Sequence, residues 1–418
     1  MDKRALLMGL PVVLLTMQDA GAVSFGTFDP RSMAMGGTGV ASGTSANASF
    51  FNPALLAIGR EGEDFSLEFP VLGARVADPD EMVDSLDDFQ SADYIDAFSN
   101  AVDQWNNATT AGELSTAKDA VVTTGRALVN GLGTLSNKTV DGELHVGAVL
   151  GVPSKRFGAS LYVNARAMGG ALLDITQSDV DQLNEVIDGL EANDPSGIVD
   201  GNGDIIDPTD NMTSSVQGRG VVLSEIGVSL AREFTFGGQG VAIGITPKVV
   251  QATTFDYRLD VDTADLSVDE GEKEYTDFNL DVGIAHRYGN GWTTGLVAKN
   301  LIPQEYQTIL GNTINLDPQY RLGLAYEWKS LTVATDLDLV ENDPAGLDGP
   351  TQYWAVGAEW NGWNTVQLRL GYRHNISDSD TSTASVGVGL SPFGVHIDIA
   401  AMGNSDEMGA GLQLGFRF

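Results

Sequence analysis

The closing residues of the chain, EMGAGLQLGFRF from Glu407 to Phe418, decide what kind of fold this is. Leu412, Leu414, Phe416 and Phe418 fall on one side of an extended chain, and Gly411, Gln413, Gly415 and Arg417 on the other. A period of two marks a strand with one apolar and one polar face. The pattern recurs upstream. VQLRLGYR sets Val366, Leu368, Leu370 and Tyr372 against Gln367, Arg369 and Arg373, and LTVATDLDL sets Leu331, Val333, Leu337 and Leu339 against Thr332, Asp336 and Asp338. YRLGLAYEW, FNLDVGIAHRY and VHIDIA alternate likewise. Such segments of about ten residues fit a transmembrane barrel, apolar side to lipid, and equally a soluble sandwich, apolar side inward.

The connectors separate the two. The candidate strands are 64–77, 142–152, 156–169, 218–235, 239–252, 275–288, 291–303, 319–329, 330–340, 350–361, 364–376, 381–392, 393–402 and 407–418, about 14 in all. Links after even-numbered strands are tight (VPSK, FGGQ, GNG, the turn at Lys329, NGW, SPF), whereas those after odd-numbered strands are mostly longer. Regular alternation of short and long links predicts a single all-β, up-and-down transmembrane β-barrel of antiparallel strands, with short periplasmic turns and long outer loops. Phe157, Phe234, Phe236, Tyr288, Trp292, Trp328, Trp360, Trp363, Phe393 and Phe416 gather near the short turns, as an interfacial girdle would. A closing strand that ends on an aromatic resembles that of outer-membrane barrels, where it is read by the assembly machinery. Phe416 and Phe418 are the residues for that signal here.

At the other terminus Lys3 and Arg4 precede the apolar run Ala5 to Met17 and then Ala20-Gly21-Ala22, the three parts of a signal peptide over 1–22. No later run approaches the length of a membrane helix. There is no cysteine, so disulfide and CxxC redox chemistry are excluded.

Charge is concentrated in three links. Residues 78–141 hold 12 acidic and 3 basic side chains, 170–217 hold 11 and 0, and 253–274 hold 8 and 2, which together carry −26 of the formal −34. An anionic rim of this kind repels polyanions, so nucleic acid is not an expected partner. Two of these links also carry helical periodicity and predict helical insertions in outer loops. Ile95, Phe98, Val102 and Trp105 with Leu114, Val121, Leu128, Leu132 and Leu135 suggest a helical hairpin, and Ser178 is the expected N-cap of a helix using Val180, Leu183, Ile187 and Leu190.

Residues 23–63 have neither period. They are rich in Gly, Ala, Ser and Thr and end in Asn52-Pro53-Ala54. A barrel of this size has a lumen to fill, and small residues permit close backbone approach. The segment is therefore expected as an N-terminal plug inside the lumen, paired with inward charges such as Glu68, Arg166, Glu225, Lys248, Asp281, Arg321, Asp336, Arg369 and Asp398. Gly36, Gly37, Gly39, Asn52, Pro53 and Ala54 are the candidate gate residues. RSMAMGGTGVASG…ASFFNPALLA resembles the N-terminal hatch of the FadL/TodX long-chain fatty-acid transport family, and the chain as a whole is similar to barrels catalogued as conjugal transfer TraF-like. The first resemblance implies passive uptake of an apolar or amphipathic molecule past the plug to a wall opening, with outer-membrane lipid and the barrel-assembly machinery as partners. The second implies a structural or surface-interaction role without transport.

Other chemistry is thinly represented. Asp200, Asn202 and Asp204, with Asp207 nearby, read either as the start of a Ca2+ loop or as an acidic turn. Ile205 stands where an EF-hand needs glycine, and Asn211 where it needs glutamate. His145, His286, His374 and His396 have no zinc spacing. His396 and Asp398 share a strand face near Ser385 and Ser391, without a nucleophile elbow, so no enzyme is expected.

Overall fold

The computed structural model describes residues 25, 26, 28–58, 64–260, 271–342, 345–347, 349–363 and 365–417. The expected signal peptide and Phe418 lie outside the described residues.

The alternation read from the sequence becomes a closed antiparallel barrel. Its first strands are β1 (Ser66–Ala77), β2 (Thr139–Val152), β3 (Gly158–Asp174), β4 (Ser215–Phe236), β5 (Gln239–Asp260), β6 (Glu272–Arg287) and β7 (Trp292–Lys299). A separate hairpin, β8 (Gln304–Gln307) and β9 (Thr313–Leu316), interrupts the series. The wall then resumes with β10 (Gln319–Trp328), β11 (Leu331–Asp338), β12 (Tyr353–Gly362), β13 (Val366–Asn375), β14 (Thr383–Leu390), β15 (Val395–Gly403) and β16 (Glu407–Arg417). Each wall strand pairs with its neighbour along the chain, and β1 pairs with β16 from Ser66↔Arg417 to Ala77↔Glu407 to close the circle. A bulge between Glu68 and Val71 lies in β1.

Faces follow the sequence. On β13, Leu368, Leu370 and Tyr372 point out and are exposed, while Gln367, Arg369 and Arg373 point in and are buried. On β11, Leu331 and Val333 are exposed, while Thr332, Asp336 and Asp338 are buried. Apolar out and polar in is the inverse of a soluble sandwich and suits a lipid-facing wall. All ten aromatics expected at the short turns are exposed, from Trp292 at 39% to Phe393 at 100%.

At the opposite end the long links fold on themselves. The link after β1 forms three helices rather than a two-helix hairpin: α3 (Met82–Ser91), α4 (Tyr94–Asn106) and α5 (Ala111–Leu135), numbered after two short helices of the N-terminal segment described below. Asp93, in a left-handed conformation at φ 49°, breaks the first stretch in two. A capping box between Thr110 and Glu113 starts α5. The link after β3 supplies α6 (Gln177–Glu191), whose N-cap is Thr176 rather than Ser178. These helices share a core that includes Phe98, Val102, Val121, Leu128, Leu132, Leu183 and Leu190. Leu114 is outside it and 39% exposed, because the first turn of α5 projects beyond the packed face. Half of the 253–274 link is strand, since β5 runs to Asp260 and β6 starts at Glu272.

Candidate functional site: the barrel interior

Residues 28–58 are buried almost throughout and lie inside the wall. Their local structure is set by side-chain caps. Asp29 precedes α1 (Pro30–Ala34) and accepts from Ser32 N at 2.8 Å and from Asn47 Nδ2 at 2.9 Å, tying α1 to the approach to α2 (Ala48–Phe51). Asn52 then caps a 3-10 turn, Pro53–Ala57, by accepting from Ala54 N at 3.1 Å.

The wall holds the segment through polar contacts. Asp336 Oδ2 accepts from Gly39 N at 2.8 Å and Val40 N at 2.9 Å. Arg31 pairs with Glu359, which also pairs with Arg369, and Arg369 reaches Asp398. Gly36 N donates to Ser385 Oγ at 3.0 Å, and Arg321 Nη1 donates to Gly37 O at 3.4 Å. Asn52 Nδ2 donates to Val40 O at 3.0 Å and Ile284 O at 3.2 Å, so one side chain joins two parts of the segment to β6. Gly36, Gly37, Gly39 and Asn52 are thus held against the wall. Pro53 and Ala54 pack on β5, where a Cβ on Gly244 would strike their backbone. The inward face is glycine-rich at just these approaches. A Cβ on Gly357 or Gly371 would collide with the backbone of Met35 or Gly36.

Above the segment, towards the long-loop end, the β8–β9 hairpin folds into the mouth. Tyr306, Ile314 and Leu316 are buried against inward-facing Met168, Val221, Leu223, Val250 and Ala252. Tyr275 Oη and Lys273 Nζ donate to Gln307 O and Thr308 O, each at 2.8 Å, and fix its tip. From the other side Leu347 N donates to Asp141 Oδ1 at 3.0 Å.

Between segment, wall and hairpin lies a cavity of about 50 Å3. Phe28, Phe50, His145, Tyr162, Asn164, Arg166, Glu225, Lys299, Asn300 and Leu316 are among its lining residues. Sequence reading missed His145, Lys299, Arg31 and Glu359 as interior groups. The strand alternation that places Arg321 inward would have placed Glu359 and His145 inward as well. On the outer face of the same wall, Leu72, Leu144, Val146 and Leu412 with Ala74, Ala165 and Ala167 line an open apolar concavity of about 710 Å3.

The remaining candidates are not assembled into sites. Asp200 Oδ1 accepts from Asn202 N at 2.8 Å and Asp204 N at 3.1 Å, and these amides hold its carboxyl below the ordinary value. Asp207 caps a separate turn through Thr209 N. Among the described residues no three acidic or histidine side chains converge as a metal site. His396 Nε2 is 2.6 Å from Glu68, not from a serine. Ser385 serves Gly36 and Ser391 donates to Gln367, so no triad forms. Phe416 lies on the outward face, 40% exposed.

A fourteen-stranded wall with a polar interior filled by its own N-terminal segment defines the class: a closed antiparallel up-and-down β-barrel with an occupied lumen. Residues 49–338 match the family described as "F plasmid transfer operon, TraF, protein", and the chain belongs to that family. No curated protein matches it. Among solved structures it is similar to a TodX deltaS2S3 mutant monoaromatic hydrocarbon channel, with 12% identity, 94% of this chain and 99% of that chain covered, and a TM-score of 0.50. It is also similar to the Pseudomonas putida toluene transporter TodX, with 10% identity, 96% and 99% covered, and a TM-score of 0.46. At these identities the likeness concerns the fold.

Proposed function

We propose that the protein is an outer-membrane uptake channel that passes an amphipathic or apolar small molecule, with residues 28–58 as a movable plug. The observation that carries this reading is how the plug is held: Asn52 of the plug donates to β6, and Asp336 and Glu359 of the wall receive Gly39, Val40 and Arg31 of the plug, on a continuous barrel that does not depend on it for strand pairing. Contacts of this kind exchange for water at modest net cost, which suits a segment that moves. The apolar concavity outside β15, β16 and β1–β4 offers an acyl-like environment on the far side of the same wall.

The reading is tested by uptake into proteoliposomes of a panel of small amphipathic and apolar solutes, comparing the native protein with Asn52→Ala. Solute entry that rises in the variant supports it. A barrel impermeable to every solute in both forms removes it.

A second reading, surface docking connected with plasmid transfer, draws on the family's name and on the acidic helical cap with its own core. Deleting the cap would abolish partner capture in that case and leave solute entry intact in the first.

A further inference from the structure

The cavity beneath the hairpin is too small for the hydrocarbons named for the neighbouring channels. An engineered cavity of about 150 Å3 accepts benzene, and a water needs about 10–15 Å3; this one, at about 50 Å3, has room for a few non-hydrogen atoms. Its polar groups are unevenly satisfied. Deep in the barrel Arg31, Lys248, Arg321, Arg369 and Arg373 each meet a carboxylate within 3.1 Å. Lys299 meets none within 4.0 Å among the described residues. Its ammonium donates to Phe50 O at 3.1 Å and lies 4.8 Å from the Phe25 ring centre, which leaves N–H donors over. His145 is 9% exposed, and neither ring nitrogen has a hydrogen-bond partner among the described residues. Its ring stacks on Phe28 at 4.9 Å and meets Phe50 edge-on at 5.9 Å, so packing fixes its orientation. Buried donors without partners are costly in a native interior, and an occupant that satisfies them removes the cost.

The geometry points to a binding site for a small oxyanion of carboxylate type, formate- to acetate-sized, held by Lys299 and His145 between the plug and the wall. Lys299 supplies the charge, His145 supplies an N–H, and the rings of Phe28 and Phe50 limit the size. Because Phe50 and Phe28 belong to the plug while Lys299 and His145 belong to β7 and β2, an occupant would bridge the two and favour the closed state. The site is a property of the closed barrel and is read without flux, so it can fail while the channel reading stands, and the reverse.

The test is saturation-transfer NMR of acetate methyl protons on the intact barrel in micelles, titrated with acetate at constant ionic strength in chloride. A saturable signal is expected, competed by formate. Affinity should fall at least ten-fold in Lys299→Met and in Asn164→Asp, which adds a negative charge to the lining, and should be retained in Lys299→Arg. Folding of each variant is checked by heat-modifiable gel mobility; if Lys299→Met does not fold, Asn164→Asp and Lys299→Arg decide. No saturable signal in the native protein overturns the proposal. So does a signal that Asn164→Asp or Lys299→Met leaves unchanged.

Discussion

Arg31 and Glu359 meet side by side, Nε to Oε2 at 2.9 Å and Nη2 to Oε1 at 3.1 Å, with both side chains almost fully buried. A two-pronged guanidinium–carboxylate contact is directional as well as strong, and this one joins the N-terminal segment to β12. Removing one partner strands the other charge. Glu359→Ala is therefore expected to destabilise the segment's seat by about 3–5 kcal/mol, and Arg369, which shares the carboxylate, would be left with Asp398 alone. Protease cleavage within residues 28–58 of the folded barrel should become faster, which is checked by timed digestion and mass mapping. Unchanged cleavage would mean that the pair does not hold the segment.

Asn52→Ala removes one acceptor and two donor contacts at once. A loss of about 1–3 kcal/mol is expected, smaller than for Glu359→Ala because no charge is left behind. The same digestion assay should rank the two.

Gly371→Ala and Gly357→Ala test the mould rather than the bonds. Each new methyl would occupy the place of the segment's backbone at Gly36 or Met35. Gly36 itself cannot retreat cheaply, because it holds φ +72° with Tyr372 behind it. Both variants should form the barrel, by gel mobility, yet expose residues 28–58. By contrast, Gly133→Ala on α5 meets nothing within 4 Å and should stabilise the helical cap by about 0.5–1 kcal/mol through helix propensity.

Asp179 at the start of α6 accepts from Thr213 N, Thr213 Oγ1, Ser214 N and Ser214 Oγ at 2.5 to 3.0 Å. Burial pushes its carboxyl up, but the Ser214 and Thr213 hydrogen bonds outweigh this and leave it below its ordinary 3.8. A carboxyl depressed on folding stabilises the folded form above its unfolded value, about 3.9, and that contribution disappears as pH falls through the depressed value. The cap should loosen in acid at that step, followed by Trp105 fluorescence, and Asp179→Asn should flatten the slope.

The wall was legible because two signals agreed. Strand periodicity assigned faces to Leu368 and Arg369, and link length assigned ends to the turns at Lys329 and Trp363. The interior was half legible. The period of two reads Asp336 and Arg321 as inward charges able to pair with the segment's polar groups, and composition reads Gly36, Gly37 and Gly39 as small residues that permit close backbone approach. Which charge meets which plug atom was not legible, since the partners sit at opposite ends of the chain and a period of two fixes a face, not a height. The hairpin at Gln304–Leu316 escaped because each arm has only four residues, too few for a period, and because Tyr306 and Ile314 look like ordinary loop apolars until the mouth of the barrel surrounds them. The Asp93 break between α3 and α4 escaped for a related reason: α3 has only ten residues, and the apolar spacing read from the sequence begins beyond the break, at Ile95.

The pairing of β1 with β16 has a consequence for the order in which the molecule can be made. The seam joins the beginning of the wall to its end, so the circle cannot shut until the last strand has been delivered. Residues 28–58 are synthesised long before that moment, yet their finished surroundings include β12, β13 and β14. Either they wait as an unpaired polar thread while the wall is laid down around them, or they are drawn into a ring already shut. The first route needs no opening and lets each inward glycine meet its neighbour as it arrives.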